Sequence, residues 1–141
     1  MSDTKLEQLK KELAQSILSD GSTLSVEMFD GGESVARILI EGREELPIYM
    51  TVDEGQILCI SYLWSEQEID QARRAELLEA MLILNVSIPL SAFSKISNQY
   101  ILFGALSPES STRDVLREIE VLSDNTLDAI EAVADYLKEA A

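Results

Sequence analysis

Between residues 23 and 64, apolar residues recur with a period of two, and only short polar turns interrupt the pattern. This alternation is typical of β-strands, because successive side chains of a strand point to opposite faces of a sheet. The sequence DGGE at residues 30–33 supplies the residues of a hairpin turn. The fourth run, QILCISYLW, is apolar on both faces, which predicts a strand in the interior of the sheet. The four predicted strands are residues 24–28, 35–41, 46–52 and 56–64.

Three other segments space their apolar residues three or four apart, as amphipathic helices do. Each follows a capping signature, in which a hydroxyl side chain precedes an acidic one by three positions. The signatures are Thr4 with Glu7, Ser65 with Glu68, and Ser111 with Asp114. The apolar seams are Leu6, Leu9, Leu13 and Ile17; Ile69, Ala72, Leu77, Leu78, Met81 and Leu82; and Val115, Ile119, Leu122, Ile130, Val133 and Leu137.

The predicted limits of the helices follow from stop signals. The first helix is expected to stop at Asp20 and Gly21, and the second at Asn85, before Pro89. For the third helix, a kink or break at residues 124–125 is an alternative to one continuous helix. Two further strands, residues 92–96 and 100–106, flank the polar turn at 97–99 and form a second predicted hairpin.

The element order is therefore helix, four strands, helix, two strands, helix, which predicts an α+β fold with a mainly antiparallel sheet, α-β-β-β-β-α-β-β-α. Residues 1–141 are expected to form a single domain, because the loops are short and no linker is visible. The expected core contains Leu24, Val26, Ile38, Leu39, Ile57, Leu58, Ile60, Leu78, Leu82, Phe93, Leu102 and Ile119.

The second predicted helix carries apolar residues on more than one side, which exceeds the single stripe that a sheet can cover. A second surface must therefore cover the excess. Either the third helix does so and the protein is a monomer, or a second copy does so and the protein is a homodimer. The candidate dimer or partner interface is Leu77, Ala80, Met81, Ile83 and Leu84.

Trp64 follows the fourth strand and is a candidate anchor for a partner, because an indole offers much contact area and one hydrogen-bond donor. The alternative is that Trp64 packs on its own core.

The residues available for catalysis are few. The chain contains no histidine and a single cysteine, Cys59, which excludes imidazole-based acid-base catalysis and imidazole zinc sites. Cys59 lies between two apolar residues and is expected to be a buried, unreactive thiol. We therefore expect no enzyme activity, no cofactor and no metal. A small-molecule-binding or enzymatic domain that uses only Asp and Glu remains the alternative.

The net charge and the pattern of apolar runs limit the classes of partner and the expected location of the protein. Eleven basic and 26 acidic residues give a net charge of −15, which disfavours nucleic acid and anionic lipid as partners. The longest uninterrupted apolar run, residues 80–84, is too short to span a bilayer, and the charged first residues do not form a signal peptide. A cytoplasmic protein without direct membrane insertion is expected.

The segment LLEAMLILNVSIPLSAFSKISNQYILFGAL resembles the pattern shared by type III secretion chaperones and YbjN-like proteins. Its landmarks are Leu77, Leu78, Leu84, Asn85, Phe93 and Leu102. The whole chain more closely resembles the YjfI-like bacterial family of unknown function.

These two resemblances imply different properties. The YjfI resemblance implies a partner of the phage-shock type, a coiled-coil membrane-remodelling protein, and a role in envelope stress. The chaperone resemblance implies a homodimer that holds a partner polypeptide on apolar grooves. The expected function is a non-enzymatic protein-binding or chaperone-like module.

Overall fold

The sequence folds into three helices, six strands and three short 3-10 turns, which a computed structural model describes for residues 2–31 and 33–138. The helices are α1 (Ser2–Leu13), α2 (Arg74–Leu84) and α3 (Thr112–Val133). The strands are β1 (Leu24–Gly31), β2 (Glu33–Ile40), β3 (Ile48–Val52), β4 (Ile57–Ser65), β5 (Ala92–Ile96) and β6 (Gln99–Leu106). The 3-10 turns are Glu66–Glu68, Gln71–Arg73 and Ala134–Tyr136.

All six strands belong to one sheet with the order β1-β2-β3-β4-β6-β5, and every neighbouring pair is antiparallel. The α+β class with an antiparallel sheet is confirmed. β4 pairs with β3 on one side and with β6 on the other, which agrees with its two apolar faces. The centre of the predicted turn at residues 30–33 is residue 32, which lies outside the described residues, although Asp30 pairs with Ser34 beside it.

The helices pack on one face of the sheet. The hydroxyls of Thr126 in α3 and Ser61 in β4 are hydrogen-bonded to each other, with 2.9 Å between the oxygens. α1 packs on β1, β2 and β3, and its Leu6, Leu9 and Leu13 are fully buried. The opposite face carries no helix among residues 2–31 and 33–138, and there Tyr49 and Tyr62 pack edge to face with ring centroids 5.2 Å apart. The core therefore lies between one face of the sheet and the helices.

The core prediction is correct for eight of its twelve residues. Leu24, Ile38, Ile57, Phe93, Leu102 and Ile119 are buried, and Val26 and Leu78 are half-buried against them. Leu39, Leu58 and Ile60 alternate with buried neighbours and lie on the helix-free face, so their assignment to the core is wrong. Leu82 is 71% exposed, so its assignment is also wrong.

The first predicted helix differs from the observed α1 at both ends. α1 begins at Ser2, so Thr4 lies inside the helix and does not cap it. It ends at Leu13, and Ile17 instead forms an isolated bridge with Thr23 and is 61% exposed.

The second predicted helix starts too early. Ser65 and Glu68 do form a capping box, but it caps the 3-10 turn Glu66–Glu68, because Ile69 adopts an extended backbone that ends the turn. Asp70 then starts a second 3-10 turn, its carboxylate accepting from the backbone N–H of Ala72, and α2 begins only at Arg74. The capping signature is real, but it belongs to a shorter element.

Residues 136–138, which follow α3, bind the segment that connects β4 to α2. Leu137 bridges to Ile69, so the two residues do not belong to the helical seams in which they were predicted. The backbone N–H of Asp70 donates to the carbonyl of Tyr136 at 2.9 Å, and that of Lys138 donates to the carbonyl of Glu68 at 2.7 Å. We call this arrangement the C-terminal clasp.

α3 is one continuous helix of 22 residues, with Ser111 accepting from the backbone N–H of Asp114 as predicted. Asp124 and Asn125 do not break it, because their side chains bond elsewhere in the fold. Asp124 pairs with Arg43 at 2.8 Å, and the amide of Asn125 donates to the carbonyl of Pro89 at 2.8 Å.

Candidate functional site

α2 divides the predicted interface residues between the core and the surface. Leu77 is fully buried and Met81 is 5% exposed, so both belong to the core of the single chain and are removed from the candidate interface. Ala80 and Leu84 are half-buried, and Leu84 packs against the core. Ile83 is 64% exposed and is the one residue of the predicted interface that lies mostly at the surface.

The apolar excess of α2 continues beyond Ile83. Leu82 directly precedes Ile83, Val86 lies four positions after Leu82, and Leu90 follows in the loop before β5; these three are 71%, 92% and 56% exposed. We call these four residues the α2 ridge. Burying a large aliphatic side chain is worth about 1.5–3 kcal/mol relative to leaving it in water. The alternative, in which α3 covers the excess apolar surface, does not hold for these four side chains, since they are exposed and α3 packs on β4, β6 and α1.

The loop that carries Val86 and Leu90 is held on both sides. The backbone N–H of Phe93 donates to the side-chain oxygen of Asn85 at 2.7 Å, and the amide of Asn125 donates to Ser91 Oγ at 3.0 Å. Leu90 has a backbone φ of +65°, a conformation that non-glycine residues seldom adopt. The ridge is therefore presented by a fastened loop.

A groove runs between α2 and β5, beside the ridge. Its volume is about 280 Å³, and its wall is almost entirely apolar. The lining residues are Arg74, Leu78, Met81, Leu82, Asn85, Phe93, Ser94, Lys95 and Tyr100. We call it the β5 groove; Leu82 belongs both to its rim and to the ridge.

Glu66 ties together the elements around the β5 groove. Arg74 of α2 pairs with its carboxylate at 2.8 Å, Lys95 of β5 at 2.8 Å, and the hydroxyl of Tyr100 donates to it at 2.8 Å. These hydrogen bonds hold the pKa of Glu66 well below its usual range, and the one from Arg74 contributes most to the shift. Glu66 is therefore a charged anchor and not a proton donor at neutral pH.

Trp64 lies beneath this cluster and is only 2% exposed. Its ring stacks on Tyr100 with centroids 6.2 Å apart and tilts against Phe93 at 6.3 Å. Because this packing leaves no free indole surface, the assignment of Trp64 as a partner anchor is wrong. Trp64 supports the groove from within the core.

The reactive groups are few and buried. Cys59 is fully buried, and burial, with a smaller contribution from Glu118, raises the pKa of its thiol to about 12. Glu118 is 4% exposed, and burial raises its pKa. Within residues 2–31 and 33–138, no three acidic or cysteine side chains are placed to share a metal ion, and no helix is long and apolar enough to cross a membrane.

The cluster around Glu66 and the groove were not predicted. Glu66 and Lys95 are 29 residues apart in sequence, and local periodicity carries no information about such pairs. Val86 and Leu90 did give a signal, because each is an apolar residue in a loop that contains Ser87 and Pro89.

Comparison with known proteins gives a family but no activity. A bacterial family, described as an uncharacterized protein conserved in bacteria (DUF2170), matches residues 3–137. No curated protein matches the chain. Since the match spans nearly all of its 141 residues, the chain belongs to this uncharacterised bacterial family, DUF2170.

Proposed function

We propose that this protein is a non-enzymatic protein-binding module that assembles as a homodimer through the α2 ridge. One observation carries the proposal: four large aliphatic side chains are exposed to solvent at the end of α2 and in the loop that follows it. The four side chains lie within residues 82–90, and large exposed apolar patches mark interaction sites in proteins that are otherwise well packed. A two-fold axis beside α2 would place each ridge against its copy, which makes one patch serve both subunits.

The finer parts of the proposal come from resemblance. A YjfI-like, chaperone-like protein in the cytoplasm would hold a partner polypeptide, and a phage-shock-type coiled-coil protein in envelope stress is the specific candidate. The net charge of −15 supports a protein over nucleic acid as the partner. The three-helix, six-strand α+β architecture is compatible with the chaperone-like pattern.

The alternative, a small-molecule-binding or carboxylate-dependent enzymatic domain, has less support. Such a site would need a pocket with an available carboxylate. The carboxylate beside the β5 groove is that of Glu66, and Arg74, Lys95 and Tyr100 already engage it.

Light scattering coupled to gel filtration tests the assembly. At micromolar concentration we expect twice the chain mass of 15.7 kDa. A mass of 15.7 kDa at that concentration would contradict the dimer. Tagged protein purified from its native host tests the partner, and recovery of no phage-shock-type protein under mild, low-salt extraction would contradict the named candidate.

A further inference from the structure

β5 is the last strand of the sheet, and β6 is its neighbour on one side only. The Ser97–Asn98 turn closes the β5–β6 hairpin, with Ile96 opposite Gln99. The backbone N–H of Phe93 points away from β6, since it donates to Asn85. Because alternate residues of an antiparallel strand direct both backbone groups to the same side, the N–H and C=O of Lys95 also point away from β6.

These outward backbone groups lie beside the β5 groove. Phe93 and Lys95 line the groove, and their side chains share the face of the sheet on which α2 packs. A strand added to this edge would send every second side chain under α2, where Leu78 and Leu82 would cover it. Backbone bonds to an exposed strand edge and pockets for alternate side chains are the two requirements of peptide recognition by strand addition.

The charge of the groove is positive although the chain is acidic. Arg74 and Lys95 share the single carboxylate of Glu66, which leaves this cluster with one excess positive charge in a chain of net charge −15. The side chain of Lys95 is 34% exposed and would face the residue opposite it on an added strand. Opposite charges stabilise such cross-strand pairs.

We propose that the β5 groove binds an extended segment of a partner protein by strand addition to β5. The segment carries an apolar residue opposite Phe93 and an acidic residue opposite Lys95, two positions apart. This inference rests on the proposed protein-binding function and names the chemistry of the partner. Asn85 already occupies the N–H of Phe93, so pairing uses the C=O of Phe93 and both backbone groups of Lys95.

A second copy of β5 is the poorer occupant. Antiparallel pairing of β5 with its copy about Lys95 would place two like charges directly opposite each other, which is destabilising. Pairing about Ser94 would place Lys95 opposite Phe93, so neither cation would gain an acidic partner. A foreign segment with a carboxylate at this position satisfies the charge that a second copy leaves unmatched.

Nuclear magnetic resonance with defined peptides tests the inference. An antiparallel segment meets Lys95 before Phe93, so the acidic residue comes first, and the probe is the capped heptapeptide GTETLTG, titrated to millimolar concentration into the ¹⁵N-labelled protein. We expect saturable shifts of the Lys95 amide and of groove residues on α2. Two control peptides, GTKTLTG and GTETSTG, remove the carboxylate or the apolar side chain and should each bind more weakly. Equal binding of all three peptides, or no shift at β5 with the probe, would overturn the proposal.

Two variants at one position separate the backbone from the charge. Lys95→Ala removes the cation and keeps the N–H, and should weaken the probe about two- to fivefold. Lys95→Pro removes the cation and the outward N–H without removing a bond to β6, and should bind at least about fivefold more weakly than Lys95→Ala. Equal affinity of the two variants would contradict strand addition.

Light scattering on the same samples separates the two proposals. If the protein is a dimer and does not bind the probe, the proposed assembly is supported and the proposed peptide site in the β5 groove is contradicted. A monomer that binds the probe at β5 would do the reverse.

Discussion

The carboxylate of Glu118 in α3 occupies the space in which a side chain on Gly104 of β6 would lie. A Cβ placed on Gly104 would be 1.6 Å from Glu118 Oε1 and 3.1 Å from the carbonyl oxygen of Leu90. Absence of a side chain at residue 104 therefore lets α3 approach the sheet with a buried acid between them. The same contact reaches the loop of the α2 ridge.

Gly104→Ala should destabilise the protein because the methyl group cannot share this space with Glu118. Overpacking of this kind typically costs about 1–3 kcal/mol of unfolding free energy. Urea unfolding followed by circular dichroism measures the loss. The double variant Gly104→Ala with Glu118→Ala should recover part of it, since residues in contact are not additive. Additive losses would show that Glu118 is not the obstacle.

Glu118→Gln should raise the unfolding free energy at pH 7 relative to wild type. Burial raises the pKa of Glu118 in the folded chain, so the folded state binds the proton more tightly than the unfolded state does. In the wild type, the stabilisation that comes from this tighter proton binding is complete below the pKa of Glu118 in the unfolded chain. It is lost as the pH rises through the pKa of Glu118 in the folded chain. The advantage of the variant should therefore shrink as pH falls from 7 towards 5.

The control for this pH profile is Glu79→Gln, which removes the same charge from an exposed residue of α2. A pH profile of Glu118→Gln that coincides with that of Glu79→Gln would contradict a buried, costly carboxylate. Urea midpoints at several pH values provide the measurement.

Ile83→Glu should convert the dimer into a folded monomer. At a two-fold interface the substitution would bury two carboxylates against apolar neighbours, which desolvation opposes strongly. The matched control is Ile17→Glu, because Ile17 is 61% exposed and Ile83 is 64% exposed. Light scattering should find a monomer for the first variant and a dimer for the second. If both variants remain dimers, the ridge is not part of the interface. Loss of the circular dichroism signal in Ile83→Glu would place Ile83 in the intrachain core.

Cys59 should resist thiol reagents in the folded protein at pH 8. The thiolate is the reactive form, and the pKa of this buried thiol is about 12. Absorbance of a thiol-disulfide reagent should rise slowly without denaturant and at once in concentrated urea. An immediate reaction of the native protein would show that β4 opens readily.

The sequence predicted elements better than faces. Strand alternation and the Ser111 cap were sufficient for the sheet and the start of α3, because both depend on residues close in sequence. The sequence could not show whether Ile38 or Leu39, or Ile57 or Leu58, faces the core, because both faces of these strands are apolar. Only the position of the helices decides which face is buried.

The candidate site shows the same division. The excess apolar surface of α2 was predicted, and Ile83 is indeed exposed. The burial of Leu77 and Met81 depends on packing with residues distant in sequence, which local periodicity does not specify. The cluster around Glu66 requires residues from four elements and has no local sequence signature.

The C-terminal clasp also orders events during protein synthesis. Tyr136 and Lys138 are translated after every element that they contact, so the backbone hydrogen bonds from residues 136–138 to Glu68 and Asp70 cannot form until the ribosome has passed Lys138. Arg73, which precedes α2, stacks over the Tyr136 ring at 4.4 Å and gains that contact equally late. The nascent chain therefore presents the start of α2 without these contacts until translation has passed this segment.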